Sequence, residues 1–172
     1  MVTARPSLER LAPQQYALAA QWLSDPAINR WLTSEWRGRR VDAMTMGILM
    51  RDRRNAVYLV RQENVPCGLA ALAEIDMSDR VAMVWYLLGD PRYAGGGVTA
   101  RAVAELVAIA FQELKLASLY AWIMEDNARS RRVLERCGFR EAGRIRRATY
   151  SGGRQLDRIY FDIVSPDVEN VA

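Results

Sequence analysis

DPRYAGGGVTARAVAELVAIAFQELKL, the stretch from Asp90 to Leu116, decides how the rest of the chain is read. A Pro-containing turn leads into three consecutive glycines, and the spacing then predicts a long amphipathic helix. Val103, Leu106, Val107, Ala110, Phe111 and Leu114 fall on one stripe at a period of 3.6 residues. Ahead of the loop, VAMVWYLL (Val81–Leu88) has the length and composition of a buried strand, with Met83, Trp85 and Leu87 on one face and Val84, Tyr86 and Leu88 on the other. A strand, a glycine loop and a helix N-terminus in succession suit an anion. Glycines allow close backbone approach, the free N–H groups point outward, and the helix dipole adds positive potential. Each glycine costs backbone entropy, roughly 1 kcal/mol relative to Ala. Two readings therefore stand side by side: a phosphate or pyrophosphate cradle, or a merely flexible loop. The chain has no G-x-x-x-x-G-K-[ST] motif, and no G-x-G-x-x-G opens a helix after a first strand, which sets aside P-loop and dinucleotide folds.

The bulk numbers bound what surrounds this stretch. The chain has 172 residues, 51% of them hydrophobic and 26% charged, as expected for one soluble globular domain over residues 1–172. No apolar stretch is long enough to span a bilayer, and MVTARPSLERL lacks the apolar region of a secretory signal, so the cytoplasm is the expected location. Two cysteines, Cys67 and Cys137, are too few for a disulfide framework or a thiolate metal site, and both are expected to be reduced and half-buried. Histidine is absent altogether, which removes Ser-His-Asp and Cys-His machinery and the usual His-bearing zinc site. Proton transfer must then use carboxylates, Tyr, Lys, Cys, hydroxyls, water or backbone. The net charge of +4 is carried almost wholly by arginine, Lys115 being the one lysine. The positive charge is scattered, so neither a nucleic-acid nor a membrane partner is expected.

Outward from the glycine loop the elements follow in order. Ser7–Leu11 reads as a first strand, and Pro13 opens a helix with Tyr16, Ala20 and Leu23 on one face. Ser24-Asp25-Pro26 reads as a helix break and restart, and Asp42–Arg53 as a further helix. Ala56–Arg61, Pro66–Ile75 and Val81–Leu88 make an antiparallel meander, turning at Gln62-Glu63-Asn64 and at Asp76–Asp79. After the long helix, Leu119–Ile123 is a short buried strand. Asp126-Asn127 caps a helix through Cys137, with Gly138 left-handed at its end. Arg140–Tyr150 and Gln155–Val164 form a terminal hairpin around Ser151-Gly152-Gly153, and the polar tail SPDVENVA is expected to fray. No internal repeat is visible.

The sequence N-x-x-S-x-x-x-L-E-R-C-G-F from Asn127 to Phe139 lies about thirty residues beyond the glycine loop, with one helix and one strand between. In isolation it is a helix cap, a Gly stop and a core Phe. Together with the glycine loop it resembles the GNAT N-acetyltransferase superfamily, whose loop reads [QR]-x-x-G-x-[GA] and whose second motif reads N-x-x-[SA]-x-x-x-[YL]-E-x-x-G-F. Anchored on Asp90-Pro91, the loop frame places Gly97 on the family's glycine, Ala94 where the family has Arg or Gln, and Thr99 at the last position. A second frame, Arg92-x-x-Gly95-x-Gly97, sits two residues early.

The resemblance implies an α/β (α+β) fold: a mixed, mostly antiparallel sheet of about seven strands, splayed in the middle and flanked by about four helices. It further implies acetyl-CoA as co-substrate and no metal. The pantetheine arm would lie beside Tyr86, Leu87 and Leu88, with a backbone N–H near Leu87 polarising the thioester. The diphosphate would rest on Ala94, Gly95, Gly96, Gly97, Val98 and Thr99, with Asn127 and Ser130 alongside. Many relatives place a tyrosine acid at the position held here by Leu134. Ser130 is the candidate acid instead, or simply part of a helix cap. Glu74 is the candidate base with Asp76 in reserve, although an exposed salt-bridging role suits either. Tyr86 is a candidate acceptor-site residue or a core tyrosine.

The expected activity is direct acetyl transfer to the primary amine of a small molecule. IAFQELKLASLYAWIMEDN is similar to members acting on nucleotide-linked amino sugars, and Arg37, Arg39 and Arg40 would either suit such a substrate or simply form a solvated loop. Acetylation of a protein α-amino terminus, as in ribosomal-protein acetyltransferases, and a non-catalytic acyl-carrier-binding module are the alternatives. A homodimer through the terminal hairpin is also expected.

Overall fold

Short left-handed turns set the register of the antiparallel strands. Glu63 and Asn64 both have positive φ (52° and 66°), and as a two-residue turn they join β2 (Ala56–Gln62) to β3 (Val65–Asp76). Gly152 and Gly153 (φ 59° and 80°) do the same between β6 (Arg140–Ser151) and β7 (Arg154–Val164). With β1 (Ser7–Arg10), β4 (Val81–Leu88) and β5 (Ser118–Met124), these strands make one seven-stranded sheet in the order β1-β2-β3-β4-β5-β7-β6. This is a computed structural model, and it describes residues 6–167. The last residues of the polar tail, 168–172, therefore lie outside the described residues.

The expected helices appear, and side chains cap α2, α3 and α5. α1 (Tyr16–Ser24) follows a 3₁₀ turn at Pro13–Gln15, and α2 (Pro26–Asn29) restarts behind Asp25, whose carboxylate accepts from the Ala27 N–H at 2.8 Å. α3 (Ala43–Arg51) is capped by Asp42, which accepts from the Thr45 N–H at 2.7 Å. α4 (Val98–Ala108) continues into a π-helical turn, Ile109–Glu113, that its apolar periodicity did not signal. α5 (Ala128–Arg136) stops as read: Gly138 is left-handed (φ 87°), and the Phe139 N–H returns to the Leu134 carbonyl at 3.1 Å.

Period-two alternation sends side chains to the two faces of the sheet, and each face has its own core. Against α4 and α5 lie Ala70, Leu72, Val84, Leu119, Ala121, Ile123 and Phe161; against α1 and α3 lie Val57, Leu59, Leu69, Ala71 and Leu87. Leu59, Leu69, Leu72 and Leu119 are fully buried, each stabilising by about 1.5–3 kcal/mol. Cys67 also lies in this core, fully buried and not half-buried as expected, because β3 is covered on both faces; Cys137 is half-buried, and both are free thiols.

The sheet opens at one place. β4 and β5, its one parallel pair, are joined only through Val81↔Ser118, Ala82↔Leu119 and Met83↔Tyr120. Beyond that point β4 stays with β3 as far as Leu88↔Gly68, and β5 stays with β7 as far as Met124↔Arg158. The two strands therefore part into a V whose closed end is the Met83–Tyr120 pair.

Candidate active site

The mouth of the V is built by the glycine loop. Gly95 and Gly97 have φ of 81° and 72°, a region that side-chain-bearing residues occupy at a cost. Gly97 is also the N-cap of α4, and the first N–H to bond back into the helix there is that of Arg101, to the Gly97 carbonyl at 3.1 Å. The amides of Val98, Thr99 and Ala100 thus have no intrahelical acceptor. Arg101 adds positive charge behind the loop, its Nη1 donating to the Gly96 carbonyl at 2.8 Å and its Nε buried without a partner. A Cβ at Gly95 would meet open space, so it is the positive φ and not crowding that favours glycine there. These features suit a diphosphate. Asp90, the nearby carboxylate, is paired with Arg92 at 2.6 Å and held below the usual carboxylate range by that contact.

From this mouth a groove of about 1420 Å³ runs along the V. Leu87, Leu88, Ala94, Gly95, Gly97, Val98, Thr99, Asn127 and Ser130 line it together, whereas Gly96 stands outside its lining. Backbone direction amends one detail. The Gly89 N–H bonds to the Cys67 carbonyl at 2.8 Å, and alternate residues of a strand point the same way, so Leu87 belongs to the β3 ladder. The amides turned toward the opening are those of Tyr86 and Leu88.

The motif on α5 separates into distinct roles. Asn127 is the cap, its Oδ1 accepting from the Ser130 N–H at 3.2 Å. The Ser130 hydroxyl is not used in that cap, and the residue lines the groove. Leu134, where many relatives carry tyrosine, is fully buried. Tyr86 reaches across the V from β4, its hydroxyl donating to the Ser130 carbonyl at 3.1 Å. It packs against the α4/α5 core, and burial raises its pKa strongly, so the phenol stays protonated.

Glu74 occupies the closed end. β3 carries a bulge between Ala73 and Asp76, where three steps on β3 match two on β4, from Met83 to Val81. Glu74 is left-handed there (φ 52°), a backbone strain of about 1–2 kcal/mol for a residue with a Cβ. Strict alternation would have sent it to the face of Leu72. The bulge turns it to the other face, where it borders the groove and accepts a hydrogen bond from the Tyr120 hydroxyl. No ion pair holds it among the described residues. Asp76, the reserve base, is engaged in the β3–β4 turn, accepting from the N–H groups of Ser78 and Asp79 at 2.8 and 3.1 Å.

Sequence reasoning missed Tyr120, having read Leu119–Ile123 only as a buried strand. Its alternation was the available signal, since Tyr120 and Trp122 share a face opposite Leu119, Ala121 and Ile123. The cluster Arg37, Arg39 and Arg40 does not reach the groove. Arg37 is tied to the carbonyls of Leu32 and Tyr150, and its neighbours are exposed elsewhere, so this support for a sugar-nucleotide substrate falls away.

Charges of both signs line the groove, with Arg54 near enough to Glu74 to feel its charge and Arg158 stacked on the Trp122 ring. Asp25, Glu35 and Glu74 line it without an ion-pair partner among the described residues, in company with Trp31, Trp36 and Trp85. Arg129, Arg132 and Arg136 line the α5 wall, likewise without a carboxylate partner among the described residues. No group of His, Cys, Asp and Glu suited to a metal occurs among the described residues, and none of their helices is long and apolar enough to cross a membrane.

Residues 5–140 match the family model described as an acetyltransferase (GNAT) domain. A Bacillus subtilis (strain 168) protein provisionally named a ribosomal N-acetyltransferase, YdaF, is 31% identical over 103 residues, 60% of this chain and 56% of that protein. The uncharacterized N-acetyltransferase p20 of Bacillus licheniformis is 22% identical over 170 residues, 95% of each chain. The matches to YdaF and to a second Bacillus subtilis relative, YjcK, span about half the length of those proteins (56% and 49%). Among solved structures, spermidine N-acetyltransferase from Vibrio cholerae in complex with CoA and spermine superposes with a TM-score of 0.86, covering 96% of this chain and 99% of that one. Its sequence identity of 19% makes this a likeness of fold.

Proposed function

The chain belongs to the GNAT acetyltransferase family, and from that premise we propose that it transfers an acetyl group from acetyl-CoA directly to the primary amine of a small, cationic molecule. One observation carries the reading: β4 and β5 part between the uncapped N-terminus of α4 and an exposed carboxylate, Glu74. The amides that begin α4 suit the diphosphate, and the unpaired arginines of α5 suit the remaining phosphate. The slot-directed amides of Tyr86 and Leu88 would bond the pantetheine arm as an added strand would, and one of them would polarise the thioester carbonyl.

Direct transfer then needs little more. The amine's lone pair forms the C–N bond, and the C–S bond breaks with its electrons going to sulfur. The amine's surplus proton passes to Glu74, and the thiolate takes a proton from the Ser130 hydroxyl, which water reprotonates at once in a solvent relay. No covalent enzyme intermediate is required.

The unpaired carboxylates and tryptophans of the groove favour a cationic acceptor. Polyamines therefore lead the candidates, and a nucleotide-linked amino sugar follows them. The relative named as a ribosomal N-acetyltransferase supports a second reading, a protein α-amine. The test is thiol release from acetyl-CoA against spermidine, an amino-sugar nucleotide and a peptide with a free N-terminus. Saturable turnover of the polyamine with acetylated product is expected. Turnover of the peptide alone would move the reading to a protein modifier, and CoA binding without turnover of any amine would make the chain a binding module.

A further inference from the structure

Glu74 is aimed by a residue from two strands away. Tyr120 stands at the last parallel pair before β4 and β5 separate, and its hydroxyl donates to Oε2 of Glu74 across the intervening β4. Tyr120 does not itself line the groove, while Glu74 does. The phenol thus sits behind the carboxylate, at the closed end of the V. A strained backbone, a bulge and a tyrosine from another strand converge on a single carboxylate that makes no ion pair among the described residues.

We infer that Tyr120 is a positioning residue for amine acylation: it anchors one oxygen of Glu74 and so directs the other toward the amine entering the slot. The inference rests on the N-acetyltransferase reading for its functional meaning. Tyr120 neither gives nor takes a proton in the reaction. Its hydroxyl fixes the acceptor of the amine's proton, while the C–N bond forms and the C–S bond breaks as above. Burial, and secondarily the hydrogen bond and charge of Glu74, raise the Tyr120 pKa, so the donor stays in place throughout the working pH range.

The experiment compares Tyr120→Phe, Glu74→Gln and the double variant with the parent. Acetylation of whichever amine the parent turns over gives the kinetics, and calorimetry with CoA gives binding. Loss of one charge-assisted hydrogen bond should lower kcat by roughly ten- to a hundredfold in Tyr120→Phe, with the KM for acetyl-CoA and the CoA affinity unchanged. The double variant should be no slower than Glu74→Gln, because the two residues act as a unit. A readout independent of turnover is tyrosinate absorbance on raising pH. Glu74→Gln should make one tyrosine ionise at lower pH, and that change should vanish when Tyr120 is already Phe. Parental kcat in Tyr120→Phe, additive losses in the double variant, or an unaltered tyrosine titration in Glu74→Gln would each overturn the inference. A parent that binds CoA yet acylates no amine would instead sink the transferase reading, leaving the titration to decide whether the two side chains are coupled.

Discussion

Glu74 combines a left-handed backbone (φ 52°) with a side chain that the proposed chemistry needs, and the two can be separated by substitution. Glycine accepts this conformation freely, whereas alanine keeps the strain and loses the carboxylate as glycine does. Glu74→Gly should therefore be more stable than Glu74→Ala by about 1–2 kcal/mol, while both lose turnover. Urea midpoints measure the difference, and equal midpoints would mean that the backbone is not left-handed. Ser130 offers a second separation, since the cap is made by the Asn127 side chain and not by the Ser130 hydroxyl. Ser130→Ala should lower kcat roughly ten- to a hundredfold at unchanged melting temperature, and slow turnover more than it weakens CoA affinity. Parental turnover would retire it as the acid.

At the scale of elements, the loop between β4 and α4 is fixed from both ends. Gly89, just after β4, lies flat against α1: a Cβ there would stand 2.2 Å from the Trp22 ring, which is itself buried. Gly89→Ala should force α1 off the sheet at a cost of about 1–3 kcal/mol or more, lowering Tm by several degrees. Trp22→Leu in the same chain should recover part of the loss. At the other end, Gly97→Glu adds a Cβ at φ 72° and a negative charge at the helix N-terminus. Calorimetry should show CoA binding weakened by roughly a hundredfold or more, about 2.7 kcal/mol. Unchanged binding would mean the diphosphate rests elsewhere.

Across the whole molecule, Tyr86 and Tyr120 brace the walls of the V, and both hold their protons more tightly than a free phenol, burial being the largest cause in each. Unfolded, they would ionise near pH 10. As pH rises past that value the unfolded chain loses protons that the folded one keeps, so stability is intact below about pH 10 and declines above it. Denaturant midpoints at about pH 8 and 11 should show the fall, and a Tyr86→Phe, Tyr120→Phe chain should show a shallower one. The amino-acid order alone carried the strands, most of the helices and turns, the glycine loop ahead of α4 and the Asn127–Phe139 motif. Each of these depends on neighbours a few residues apart, through backbone φ, side-chain period or a local hydrogen bond. The partner of Glu74, the burial of Leu134, the distance of Arg37 from the groove and the ladder to which the Leu87 amide belongs were decided only in three dimensions. They depend on a one-residue bulge and on which strands lie side by side, and a bulge reverses the face of a side chain without leaving a signature in local composition.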